Sequence, residues 1–111
     1  MPLQEVYLDG CNFTGTLPAA LGSADLLYTL DLSSNKFTGT IPSEWVGLSN
    51  TLVNLSLSNN FLIGTIPESF VDFTLLDVIE VGGATNRFGG YWPFNQTAFT
   101  DWYGFDLMKL I

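Results

Sequence analysis

One phrase recurs along this chain: NFTGTLP at 12–18, KFTGTIP at 36–42 and FLIGTIP at 61–67. The prolines that end the copies are Pro18, Pro42 and Pro67, and Pro93 ends a looser fourth copy, NRFGGYWP. Successive prolines stand 24, 25 and 26 residues apart. A period of this length constrains the fold more than any other property of the chain. A single unit of that size cannot bury its own apolar edge, so the copies must stack on one another.

The similarity extends upstream of each phrase. LYTLDLSSNKFTGTIP (27–42) and LVNLSLSNNFLIGTIP (52–67) align without a gap, with Leu at the first, fourth and sixth places and Asn at the ninth. LQEVYLDGCNFTGTLP (3–18) fits the same frame, with Val6 at a Leu place and Cys11 at the Asn place. In the fourth copy LDVIEV (76–81) carries the apolar pattern, and GGAT (82–85) makes the spacer two residues longer. The units therefore run over 3–26, 27–51, 52–75 and 76–93, followed by an aromatic flank at 94–111.

Alternation around the later leucines predicts a short strand, with Leu30 and Leu32 inward and Asp31 and Ser33 outward. The side chains of Asn35, Asn60 and Asn86 turn inward after the strand and satisfy backbone groups that the bend leaves unpaired. Cys11 takes the same place as a small buried residue with a weak S–H donor. Gly15, Gly39, Gly64 and Gly90 permit backbone bends. Each proline then opens a short helical turn that points Trp45 or Phe70 at the core. In the flank, Phe99, Trp102, Tyr103, Leu107 and Leu110 recur at helical spacing after Thr100, which predicts a helix covering the last repeat. The alternative is an aromatic platform for sugar or peptide.

These units resemble plant-type leucine-rich repeats, whose signature is LxxLxLxxNxFTGxIP; LDLSSNKFTGTIPSEWVGL is a close copy. The resemblance covers residues 3–93. It implies an α/β repeat solenoid, a right-handed superhelix of about four repeats with a parallel β-sheet on its concave face. A second, shorter strand near each TGT segment is also implied. Similar domains are the ectodomains of receptor-like kinases and receptor-like proteins, and inhibitors of wall-degrading enzymes. Their work is binding, outside the cell. Two departures stand out: paired cap cysteines and a secretion signal are missing from the sequence as written. The chain therefore reads as a fragment or short product of a longer array, with an uncapped apolar edge on its first repeat.

Composition narrows the partners. Three Lys+Arg against eleven Asp+Glu give a net charge of −8, which disfavours nucleic acid and anionic membranes, since both need clustered cations. No apolar run is long enough for a spanning helix. The chain has no His and one Cys, so Ser-His and Cys-His nucleophile pairs, and zinc sites, find no residues. No cofactor motif is present, and the expectation is a non-enzymatic module.

The outward strand residues define the candidate site. The register predicts three columns: Glu5, Thr29, Asn54 and Val78; Tyr7, Asp31, Ser56 and Glu80; Asp9, Ser33, Ser58 and Gly82. Of these, Tyr7, Asp9, Thr29, Asp31, Ser33, Asn54, Ser56, Ser58 and Glu80 are the expected partner-binding residues, with Asp31 and Ser56 central. They suit a neutral or basic protein or peptide, or a glycan. Asn12 and Asn95 are candidate glycosylation sites, and Asn54 also lies in a sequon. Two other readings remain open. The repeats could be a structural spacer in a longer array. Less favoured is an ice- or polysaccharide-binding row of Thr16, Thr40 and Thr65, ending at Tyr91.

Overall fold

Each of the first three units lays down a short strand, a bend, a second short strand and a 3-10 turn, and the described part of the fourth carries the two strands. The computed structural model describes residues 3–89. The aromatic flank at 94–111, together with Gly90, Tyr91, Pro93 and Asn95, lies outside the described residues. The first strands of the units are β1 (Glu5–Tyr7), β3 (Thr29–Asp31), β5 (Asn54–Ser56) and β7 (Val78–Glu80). The second strands are β2 (Thr14–Thr16), β4 (Lys36–Gly39), β6 (Phe61–Thr65) and β8 (Arg87–Gly89). The first set forms one parallel sheet in the order β1-β3-β5-β7, and the second set runs in the order β2-β4-β6-β8.

In the first sheet like residues face like. Val6 pairs with Leu30, Leu30 with Leu55, and Leu55 with Ile79. Leu30, Leu55 and Ile79 are fully buried, as are Leu32, Leu57 and Val81 just beyond them. Burying such a side chain is worth about 1.5–3 kcal/mol, and a slip of one residue would turn the whole inward set to solvent. The apolar pattern therefore pins the register.

The bend after β1, β3 and β5 uses left-handed backbone at corresponding places: Gly10 (φ 67°), Ser34 (φ 56°) and Asn59 (φ 59°). It swings the next residue inward. Asn35, Asn60 and Asn86 are buried. Asn60 Nδ2 donates to Leu32 O at 3.0 Å and Leu57 O at 3.1 Å, while its Oδ1 accepts from Phe37 N at 3.1 Å. Asn35 and Asn86 reach back to Leu8 O and Leu57 O in the same way. Cys11 differs from the sequence expectation. Its side chain is exposed, because no described coil stacks on that side of it. Its Sγ still donates to Asp9 O at 3.4 Å, the weak S–H donor expected, and Cys11 N donates to Asn35 Oδ1 at 3.0 Å.

The 3-10 turns, Ala19–Ser23, Ser43–Leu48 and Glu68–Asp72, start directly after Pro18, Pro42 and Pro67. Trp45 and Phe70 enter the core, at 0% and 1% exposure. Trp45 Nε1 also donates to Pro18 O at 2.9 Å, stitching the second coil to the first. The longer fourth spacer is taken up by a bend in which Gly83 (φ 99°) lies against Asn59 and Thr85 Oγ1 donates to Asn60 O.

The second sheet is staggered. Thr16 pairs with Thr38, and Thr38 with Phe61. The alignment of the repeated phrase would have set Thr16 beside Thr40 instead, and Thr40 lies beyond the end of β4. Thr16, Thr40 and Thr65 are all exposed, but Thr16 and Thr40 are not strand partners. Backbone pairing there follows the bends at Gly15, Gly39 and Gly64, all with positive φ, rather than an apolar register on both sides. Instead, each Thr packs on the glycine of the next coil. Thr16 Cγ2 and Thr40 Cγ2 lie where a Cβ on Gly39 or Gly64 would approach to 3.2 and 2.8 Å.

Candidate functional site

The outward face of the first sheet carries the candidate site. Strand pairing aligns Glu5, Thr29, Asn54 and Val78 in one column, and Tyr7, Asp31, Ser56 and Glu80 in the next. Backbone bonds beyond the strand ends continue the alignment: Ser34 N donates to Ser58 O, and Asn59 N to Gly82 O. A shallow groove of about 230 Å³ crosses this face. Its floor is the main chain of Leu30 and Leu55, whose side chains point into the core, and its walls are Tyr7, Thr29, Asp31, Asn54, Ser56, Val78 and Glu80. Asp9, Ser33 and Ser58 lie outside that lining.

The side chains differ in what they offer. Tyr7 is 60% exposed and stands at the open end. Asp31 is half-buried and already held: its Oδ1 accepts from Ser33 N at 3.0 Å and Ser33 Oγ at 2.6 Å. The bonds form because an Asp at a strand end can cap the backbone two residues on. Ser33 is thereby engaged on Asp31. Thr29 takes its outward place in the column but is buried, because Asn54 Nδ2 donates to its Oγ1 at 3.2 Å and covers it. Val78 was foreseen in the column but not among the binding residues; it supplies apolar wall. At the rim, Tyr28 Oη donates to Glu5 Oε1 at 2.6 Å, and this bond to the carboxylate raises the Tyr28 hydroxyl pKa above its usual value.

Charge is uneven on this face. Its strands carry Glu5, Asp31 and Glu80 and no Lys or Arg. Asp31 and Glu80 lie two strands apart, about 10 Å, with Ser56 between them. No group of acidic, Cys or His side chains able to hold a metal occurs among the described residues. No helix among them is long and apolar enough to cross a membrane. Asn12 is exposed with φ 59°, whereas Asn54 lines the groove, where a glycan would fill it.

The Leucine Rich Repeat family model matches residues 2–24, 26–48 and 51–73. No curated protein sequence matches the chain. Among solved structures, the PEPR1–AtPEP1 complex superposes with a TM-score of 0.81 at 32% identity, over 90% of this chain and 14% of that one. The LRR ectodomain of the Arabidopsis receptor kinase HAESA, in complex with a peptide hormone ligand, matches with a TM-score of 0.72 at 31% identity, over 82% and 15%. A plant ice-binding protein matches with a TM-score of 0.65 at 33% identity, over 74% and 26%. The chain thus spans about one seventh of the receptor chains it resembles.

Proposed function

This chain belongs to the leucine-rich repeat family, and from that premise we propose that it is a non-enzymatic binding module taking a protein or peptide on the concave face of the β1-β3-β5-β7 sheet. The observation that carries this reading is the groove over Leu30 and Leu55. It sets Asp31, Ser56 and Glu80 side by side, with Tyr7 and Val78 as apolar wall. An extended peptide would rest apolar side chains against Tyr7 and Val78 and donate N–H groups to the carboxylates. The acidic face favours a neutral or basic partner, because unlike charge steers encounter and like charge penalises it. Support comes from the receptor ectodomains that share the fold, one of them holding a peptide hormone. The same likeness supports an extracellular setting.

The ice-binding alternative draws on the likeness to a plant ice-binding protein. The exposed face of the second sheet, however, mixes Thr14, Thr16, Thr38 and Thr65 with Lys36, Phe61, Ile63 and Arg87, so it offers no uniform hydroxyl array. A spacer role in a longer array would leave the groove unused.

The test is a phage-displayed peptide selection against the full chain. The enriched peptides are expected to be neutral or basic and to bind an Asp31→Asn/Ser56→Ala variant at least tenfold more weakly. Equal binding to that variant, with its circular dichroism unchanged, would sink the concave-face reading.

A further inference from the structure

The chain has only three basic side chains. Lys109 lies outside the described residues, and the other two, Lys36 and Arg87, both project from the exposed face of the second sheet. None of the strands β2, β4, β6 and β8 contains an acid. Among strand residues the charges are therefore segregated: Glu5, Asp31 and Glu80 on the first sheet, Lys36 and Arg87 on the second.

Between the cations lies apolar surface. Phe61 and Ile63 are 48% and 52% exposed. The stagger places them on a diagonal. Lys36 and Thr38 share a face of β4, Thr38 pairs with Phe61, and Ile63 pairs with Arg87. The stripe Lys36–Thr38–Phe61–Ile63–Arg87 thus crosses two strand spacings and four residues, about 16 Å from end to end. No residue in the stripe is negative, so among the described residues the strands of this face set no carboxylate beside the cations.

We propose that this stripe is a second interaction surface, separate from the concave groove, that takes an extended acidic segment of a partner protein. Residues i, i+2 and i+4 of a strand face one way and span about 13 Å. A segment with carboxylates at i and i+4 and an apolar side chain at i+2 matches the stripe: the long Lys36 and Arg87 side chains reach the two anions while Phe61 and Ile63 cover the apolar residue. Exposed apolar patches rimmed by charge are where proteins associate. Complementary charge sets the choice of partner.

The probe is the blocked peptide Asp-Ser-Leu-Ser-Asp, titrated into the ¹⁵N-labelled full chain, with Asn-Ser-Leu-Ser-Asn as control. The expected result is movement of the amides of Lys36, Thr38, Phe61, Ile63 and Arg87. The acidic peptide should bind about fivefold more tightly than the neutral one, as two exposed charge pairs allow, and the advantage should fade at high salt. Lys36→Glu/Arg87→Glu should abolish the shifts, and Asp31→Asn/Ser56→Ala should leave them intact. No shifts at these residues, or equal binding of the neutral peptide, would overturn the proposal. Self-association of the free chain that disappears in Lys36→Glu/Arg87→Glu would assign the face to a second copy instead, and so overturn it. Movement of the same amides in unliganded Asp101→Asn/Asp106→Asn would assign it to the chain's own acidic segment, with the same consequence.

Discussion

Gly47 stacks on Gly22 between the first two 3-10 turns, so closely that a Cβ on Gly47 would overlap the Gly22 carbonyl oxygen. A Cβ on Gly22 would meet the backbone of Glu44 in turn. The atoms in the way are main chain, which cannot swing aside as a side chain does. Gly47→Ala should therefore cost about 2 kcal/mol, as forced overpacking does. The measurement is a lowered urea midpoint at unchanged slope.

Asn60 has no exposed surface, and its amide serves carbonyls of two coils and one N–H. Asn60→Ala leaves Phe37 N without its acceptor and should cost about 2–3 kcal/mol, the range for stranded buried polar groups. Asn35 holds the same place one coil earlier, but its partners Cys11 and Phe13 belong to exposed residues. Water can replace the lost bonds there, so Asn35→Ala should cost less than Asn60→Ala in parallel unfolding curves.

Gly15 and Gly64 share the same positive φ of 86°, yet a Cβ meets nothing within 4 Å at Gly15 and Thr40 Cγ2 at 2.8 Å at Gly64. Both alanine variants bear the left-handed backbone penalty of about 1–2 kcal/mol. Gly64→Ala should lose more by the steric contact. Thr40→Ser removes that methyl, so a double-mutant cycle should return a favourable coupling between Thr40→Ser and Gly64→Ala. Additive effects would show that the methyl does not obstruct.

Tyr28 donates to the Glu5 carboxylate, so ionising the phenol loses that bond and sets two anions together. The folded pKa is raised. The contribution of the pair to stability is therefore complete below the ordinary phenol value of about 10 and is lost as pH rises through the raised value. Glu5→Gln should bring the Tyr28 titration, followed by site-resolved NMR, back toward that ordinary value.

Much of the molecule was legible beforehand because the repeat is written in side chains that act locally. Leu30, Leu55 and Ile79 mark the inward face of their strands, and that alternation places Asp31, Ser56 and Glu80 outward in one column. The inward turn of Asn35 and Asn60 follows from the bend before them. Thr29 takes its outward place in the column, but its low exposure depends on Asn54 of the next coil, a contact the alternation of a single strand does not encode. Cys11 keeps the donor role of its place through Sγ, while its exposure, unlike that of Asn35 and Asn60, reflects that no described coil precedes it.

The sequence by itself determined the period, the strand of each coil and the register of the first sheet, since a slip of one residue there would bring leucines into water. Only the tertiary structure decided the stagger of the second sheet. There the two faces of the strands make different demands, and the bends at Gly15, Gly39 and Gly64 set the offset. That offset puts Thr40 on Gly64 rather than in a hydroxyl row, and brings Phe61 and Ile63 between Lys36 and Arg87. Alternation within one strand is a local property of the backbone. The displacement between strands is settled by how neighbouring coils pack, and it exists only once they have stacked.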